Sequence, residues 1–194
     1  TANAVRMAGG KIILADVNPK NLLIDEKSLM KKITPKTKFI IPVHLSGRGG
    51  NIKKILSLSK KKSIKIIEDA AEALGSKSQG KNLGCFGIAG CFSFAPNKIL
   101  TTGQGGIVVT NNIKLFKKLK RLKDQGREGP TTGGEDKYVS IGYNFKFTNL
   151  QSSLALSQIK NINWRMKKLR EIYKFYIKNI NQNKYFRIVN FNIK

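Results

Sequence analysis

The sequence predicts an α/β fold: a mixed, mostly parallel sheet with helices on both faces. Three observations carry this expectation. Short apolar runs alternate with amphipathic stretches over the first two-thirds of the chain, at the spacing of βαβ units. The runs KFIIPVHL and IKII are apolar almost throughout, as strands covered on both sides are. Glycine, asparagine and proline punctuate the runs and supply the turns between them.

In chain order, KIILADV (11–17) reads as a short buried strand and IDEKSLMKKI (24–33) as an amphipathic helix. TPKTKFIIPVHL supplies an apolar strand around 38–45. Asn51 is placed to cap a helix over 52–62, and SIKIIEDA gives a buried strand at 64–68. GSKSQGKNLG (75–84) has the composition of an exposed hairpin. GIAGCFSF (87–94) and GGIVVT (105–110) are two further strands that bracket the loop APNKILTTGQ. A helix over about 113–125, a glycine-rich loop REGPTTGGEDK, and two long amphipathic helices near 148–161 and 163–181 follow. This change of character divides the chain into a sheet domain, 1–140, and the start of a smaller helical domain, 141–194. The start at Thr1 and the strand-like end FRIVNFNIK lead us to expect a fragment, with part of each domain missing.

Composition narrows the function. With 40% hydrophobic and 25% charged residues the chain reads as an ordinary globular protein. No apolar run has the length of a membrane span and no leader opens the chain, so a cytoplasmic protein without a membrane partner is expected. Cys85 and Cys91 have no second pair or histidine at metal-ligand spacing and are expected as free thiols. The net charge of +26 raises nucleic acid as a partner. Here, however, lysines are spread over polar helix faces, as in NIKKILSLSKKK and LFKKLKRLKDQ, beside regular apolar stripes. We read them as a solvated surface that helps attract an anionic substrate, with a basic nucleic-acid-binding protein as the weaker alternative.

Ligands of open parallel sheets bind beyond the carboxyl ends of the strands. Asp69 follows the strand IKII there, and Lys98 follows the strand GCFSF. A lysine and a carboxylate at neighbouring strand ends meet two needs of pyridoxal 5'-phosphate: an amine to form a Schiff base, and an acid to keep the pyridine nitrogen protonated. Alone, each is a weak signal, because a strand-end Asp often caps a loop and most lysines are surface groups. The setting strengthens them: Ser93, Asn97, Gly103, Gly105 and Gly106 surround Lys98 with small and polar groups.

The segment IIEDAAEALGSKSQGKNLGCFGIAGCFSFAPNKILTTGQGGIVVTNN resembles the DegT/DnrJ/EryC1/StrS family of sugar aminotransferases. The shared pattern is an EDAA-x-A acid motif, then FSF, then a lysine five residues after the serine, then an acidic or amide residue before Gly-Gly. TANAVRMAGGKIILADVNP, ITPKTKFIIPVHLSGR and IGYNFKFTNLQSSLALSQI match in order, so the resemblance covers nearly the whole chain. It implies fold type I, the aspartate-aminotransferase-like fold, with 1–140 as the cofactor-binding large domain.

Residue by residue, the resemblance implies that Lys98 forms the Schiff base and shuttles the proton, and that Asp69 pairs with the pyridine nitrogen. Glu72 approaches the ring's phenolic oxygen or the substrate, Ser93 binds the cofactor phosphate, and Gln104 stands on the substrate side. Asn144, in GYNF, reaches the phosphate of the neighbouring subunit in a homodimer with shared active sites; its alternative is to cap the helix that begins near Thr148. His44 is expected to be structural. The implied reaction moves an amino group from an amino acid, glutamate, to the keto group of a nucleotide-linked 4-keto-6-deoxy sugar, with perosamine-synthase-like members the most similar. Lys98 argues against the histidine-bearing dehydratases of the family. Ile88 stands where the family usually has an aspartate and Ser46 where an aromatic is common; Ile88 and the cut-looking ends keep a non-catalytic or regulatory relative as the alternative. The glycine-threonine phosphate loop and the aromatic that stacks on the cofactor are expected upstream of Thr1.

Overall fold

The computed structural model describes residues 1–129, 137–180 and 184–193. Helix α1 (Ala2–Met7) opens the chain. Helix α2 (Glu26–Lys32) starts at Asp25, whose carboxylate accepts from the Ser28 N–H and so satisfies a donor with no partner inside the helix. Strand β1 (Phe39–Ile40) and a 3-10 turn (Leu45–Gly47) precede helix α3 (Ile52–Lys61), which Asn51 caps through the Lys54 N–H. Strand β2 (Lys65–Asp69) leads into a hairpin of β3 (Lys77–Ser78) and β4 (Lys81–Asn82). Strands β5 (Ala89–Ser93) and β6 (Gly106–Val109) follow, then helix α4 (Ile113–Leu122). Short strands β7 (Arg127–Glu128) and β8 (Lys137–Tyr138) pair antiparallel. Helices α5 (Asn149–Ile159) and α6 (Ile162–Asn179) complete the order.

The sheet runs β1-β2-β5-β6. β1 with β2 and β2 with β5 are parallel, while β6 returns antiparallel to β5, as a mixed, mostly parallel sheet requires. Alternation in β2 turns Ile66 and Glu68 into the interior, with Ile67 and Asp69 on the opposite face. Ile66 joins Leu29, Ile40, Ile55 and Ile64 in one core cluster, so α2 and α3 lie against β1 and β2. Ala70, Ala73 and Leu83 form a second cluster with Phe86 and Phe92 packed on it.

Four expectations need correction. KIILADV is not a sheet strand: among the described residues it has only the bridge from Val17 to Ile24, and Ile13 and Leu14 are exposed. Strand-like composition cannot form a strand without a hydrogen-bonding neighbour. The strand expected over 38–45 shortens to Phe39–Ile40, because Pro42 has no N–H to give the ladder. Pairing resumes past it: Asp69 N–H donates to Pro42 O (3.0 Å) and His44 N–H to Asp69 O (2.9 Å). The helix expected to 125 ends at Leu122 and the one expected to 181 ends at Asn179. In REGPTTGGEDK, residues 130–136 lie outside the described residues.

Candidate active site

Asp69 and Ser93 stand at the carboxyl ends of adjacent parallel strands. The register pairs Asp69 with Cys91, and Ser93 lies two residues further along the same face. Asp69 Oδ1 accepts from the Ala71 N–H (3.2 Å), and Oδ2 accepts from the Thr1 hydroxyl. No cation pairs with this carboxylate among the described residues. Burial, and then the Asp69 charge beside it, push the Cys91 thiol up, which makes it a poor nucleophile. The Ser93 hydroxyl accepts from the Ala95 N–H (3.2 Å) at the start of the loop that carries Lys98.

That loop is held from two sides. Phe94 N–H donates to Gly105 O and Thr102 N–H to Phe94 O, closing it at its base. From α5, the Gln158 amide accepts from the Thr101 N–H (3.2 Å) and donates to Thr101 O (2.6 Å). From α6, Arg165 donates to Ile99 O (3.1 Å). Lys98 itself is largely buried, its side chain 17% exposed, with Nζ 3.5 Å from Glu72 Oε1. The other oxygen of Glu72 accepts from the Ser46 N–H (2.7 Å). A groove of about 390 Å³ opens beside the loop, between Asn97, Lys98 and Ile99 and the α6 residues Trp164, Arg165 and Leu169.

Among the residues singled out in the sequence, the structure thus joins Lys98 to Glu72 and sets Asp69 and Ser93 on neighbouring strand ends. It leaves Gln104 exposed, with its carbonyl accepting from the Gln151 side chain (3.1 Å). Asn144 is exposed, and its side chain makes no hydrogen bond within the described residues. Nor does it cap α5: Thr148 does, in a reciprocal capping box with Gln151. The departure at Ser46 leaves Glu72's partner intact, since the donor is the backbone N–H. Ile88 keeps its backbone in register, its N–H on Ile66 O (2.8 Å) and its carbonyl taking the Thr110 hydroxyl (2.6 Å).

Sequence reasoning missed Glu68. It is fully buried and accepts from His44 Nε2 (2.8 Å) and from the N–H groups of Gly84 (2.7 Å), Phe86 (2.5 Å) and Gly87 (2.7 Å). Burial pushes its carboxyl up, but His44 and the three backbone donors together hold it below the ordinary range. The signal was present: the residue two after Ile66 points inward, and a buried carboxylate needs partners. His44, buried beside it, has the structural place expected of it.

The donor set fits pyridoxal phosphate. A largely buried lysine lies in the loop that follows a strand end and meets Glu72. An adjacent strand end carries a carboxylate that pairs with no cation among the described residues, and a hydroxyl follows on the same face. No cluster of potential metal ligands occurs among the described residues, and no helix among them is long and apolar enough to cross a membrane.

This lysine–carboxylate arrangement on a mixed α/β sheet belongs to the fold type I aminotransferases. The chain is a member of the DegT/DnrJ/EryC1/StrS aminotransferase family, whose model matches residues 1–194. It is 38% identical over 181 residues to the GDP-perosamine synthase of Escherichia coli O157:H7, covering 93% of this chain and 49% of that protein. Helicobacter pylori PseC, an aminotransferase involved in the biosynthesis of pseudoaminic acid, superposes with a TM-score of 0.89 at 35% identity, over 95% of this chain and 49% of that one. A Streptococcus pneumoniae relative solved in PLP- and PMP-forms aligns with a TM-score of 0.84 at 25% identity, over 91% of this chain and about half of its own. The chain therefore spans about half the length of the relatives it matches. The family is PLP-dependent.

Proposed function

We propose that the protein containing this chain transfers an amino group from an amino acid, glutamate, to the keto group of a nucleotide-linked 4-keto-6-deoxy sugar. The observation that carries this is Lys98 Nζ, 3.5 Å from Glu72 Oε1, in a loop beside the strand ends that bear Asp69 and Ser93. Similarity to a GDP-perosamine synthase and to PseC supports the nucleotide-sugar acceptor. When bound, pyridoxal phosphate supplies the electron sink and carries the amino group between donor and acceptor.

The chain's own residues divide the remaining work. Lys98 would hold the cofactor through its amine and, when released, move a proton at the substrate carbon. Glu72, fixed by the Ser46 N–H, keeps the Lys98 ammonium at the mouth of the strand ends. Asp69 holds the proton on the pyridine nitrogen, Ser93 takes the phosphate, and Gln104 faces the sugar. Residues 1–140 form the large domain and 141–194 the start of the small one, in a cytoplasmic homodimer. In that dimer Asn144 of the partner subunit completes the phosphate site, a reading supported by its exposed side chain, which has no hydrogen bond within the described residues.

Borohydride reduction of the full-length protein with pyridoxal phosphate, followed by mass spectrometry, should place the reduced cofactor on Lys98. Amine transfer should then appear with GDP- or UDP-linked 4-keto sugars and glutamate. A label on another lysine overturns the assignment. Mixing Lys98→Ala with Asn144→Ala protomers tests the shared site: one pocket per heterodimer stays intact, so roughly half the native activity per heterodimer should return. If none returns, Asn144 serves its own chain.

A further inference from the structure

The buried pair of His44 and Glu68 has no part in the chemistry above, and at 1% and 0% exposure neither can touch a substrate. Its connections nevertheless lead to Lys98. Glu68 fills its four acceptor sites with three N–H groups of the turn after β4 and one donor from elsewhere, His44 Nε2. His44 is fixed twice, by its ring on Glu68 and by its N–H on Asp69 O. It is also the residue from which the 3-10 turn Leu45–Gly47 departs.

That turn is tightly specified. Ser46 sits in the left-handed region, at φ 52° and ψ 35°, a conformation most side chains avoid and neighbours must enforce. Gly47, at φ 75°, lies so near Glu72 O and Ser76 Oγ that a Cβ there would stand 3.3 and 2.6 Å from them. The backbone geometry aims the Ser46 N–H at Glu72 Oε2 (2.7 Å), leaving Oε1 toward Lys98. Without that donor, Glu72, 40% exposed, would be free to turn into water, and a pair so open has little strength of its own.

We infer that His44 and Glu68 are positioning residues: they anchor the turn whose Ser46 N–H aims the Glu72 carboxylate at Lys98. The inference rests on Lys98 being the reactive amine, but its test uses neither cofactor nor sugar. A failed test leaves the proposed reaction standing, and absent amine transfer leaves the positioning standing.

The test is trace acetylation of the full chain at one mildly alkaline pH. Mass spectrometry reads the rate at Lys98 against the exposed lysines Lys36 and Lys53 as internal standards. Glu72→Gln weakens the contact that engages the Lys98 amine and should raise the relative rate at Lys98 about three-fold, the scale of losing one partly exposed ion pair. His44→Ala should raise it by a similar factor, and His44→Gln, which keeps a side-chain donor, should return it to the wild-type value. The double variant His44→Ala/Glu72→Gln should react no faster than Glu72→Gln alone, because both act through one contact. An unchanged rate in Glu72→Gln or His44→Ala, or effects that multiply, would overturn the inference.

Should His44→Ala not fold, hydrogen exchange on the unaltered chain decides. The Ser46 amide should be protected within about ten-fold of the Gly84 and Gly87 amides, as members of one anchored unit. A Ser46 amide that exchanges like an unbonded one sinks the anchor.

Discussion

The sheet-bearing half and the helical half hold their shape by different means. Between Leu23 and Thr102 the chain encloses its own core, with Ile40, Ile52, Ile55, Ile66, Leu83 and Leu100 all buried. Helices α4, α5 and α6 carry no buried residue, and Leu150, Leu156, Trp164 and Phe175 are each more than 60% exposed. The helical half touches the lysine loop instead through polar clasps from Gln151, Gln158 and Arg165. The strand-end groups thus sit on a self-buried scaffold, while the loop beside them is held by contacts that a small movement of α5 or α6 would loosen.

The largest expected effect separates chemistry from this scaffold. Lys98→Ala should lower amine transfer in the full protein by several orders of magnitude, yet leave its unfolding midpoint nearly unchanged. Retention of even a tenth of the activity would make Lys98 the wrong lysine. Next, Ile66→Ala should cost about 2–5 kcal/mol in urea unfolding, as a cavity in a closed core does. Leu156→Ala, at an exposed helix position, should stay within about 0.5 kcal/mol in the same dilute chain. Equal costs would erase the distinction between the halves. A large cost for Leu156→Ala in the concentrated full-length protein alone would show that assembly covers this face.

Acid sharpens the contrast further. Glu68 has a folded-state pKa below its unfolded one, so its stabilisation is present above the ordinary carboxylate range and is lost as pH falls through the folded value. The stability gap between wild type and Glu68→Gln should therefore shrink as pH drops below about 4.3. A constant gap would deny the shift. Asp124, by the helical half, is held low chiefly by Lys146 (2.9 Å) and also by Arg127 (3.0 Å). Its effect should fade in high salt more than that of buried Glu68, because the Lys146 side chain is 37% exposed. The smallest effect is at a cap: Thr148→Ala should cost about 1 kcal/mol locally. It should speed exchange of the Gln151 amide, whose donor bond runs to the Thr148 hydroxyl, without changing the β2 amides.

Much of the sheet half could be read from sequence because its signals are local. Asn51 before an apolar-periodic helix, the polar hairpin, and IKII followed by an acid each announce themselves within ten residues. KIILADV failed because pairing is decided by a neighbour the segment does not carry. The site divides in the same way. Asp69 and Lys98 could be found as strand-end groups, and Glu72 through the resemblance. The Ser46 N–H that fixes Glu72 is a backbone group 26 residues away, which no residue type advertises. Gln158 and Arg165 reach the lysine loop across 57 and 66 residues, on helices whose polar positions look alike in sequence.

The Gln158 clasp carries a chemical liability of its own. Its side-chain amide meets the Thr101 peptide as a neighbouring strand would, giving one donor and taking one. A side-chain amide supplies both groups in this geometry, and an amide hydrolyses slowly in water. Deamidation would put a second acceptor where the donor faces Thr101 O, and the attraction would become repulsion between a carboxylate and a carbonyl dipole. Aged protein should therefore carry a lysine loop freed at Thr101, held to α5 only by Gln151 on Gln104 O, while its sheet remains intact: a spontaneous clock set by a single side chain.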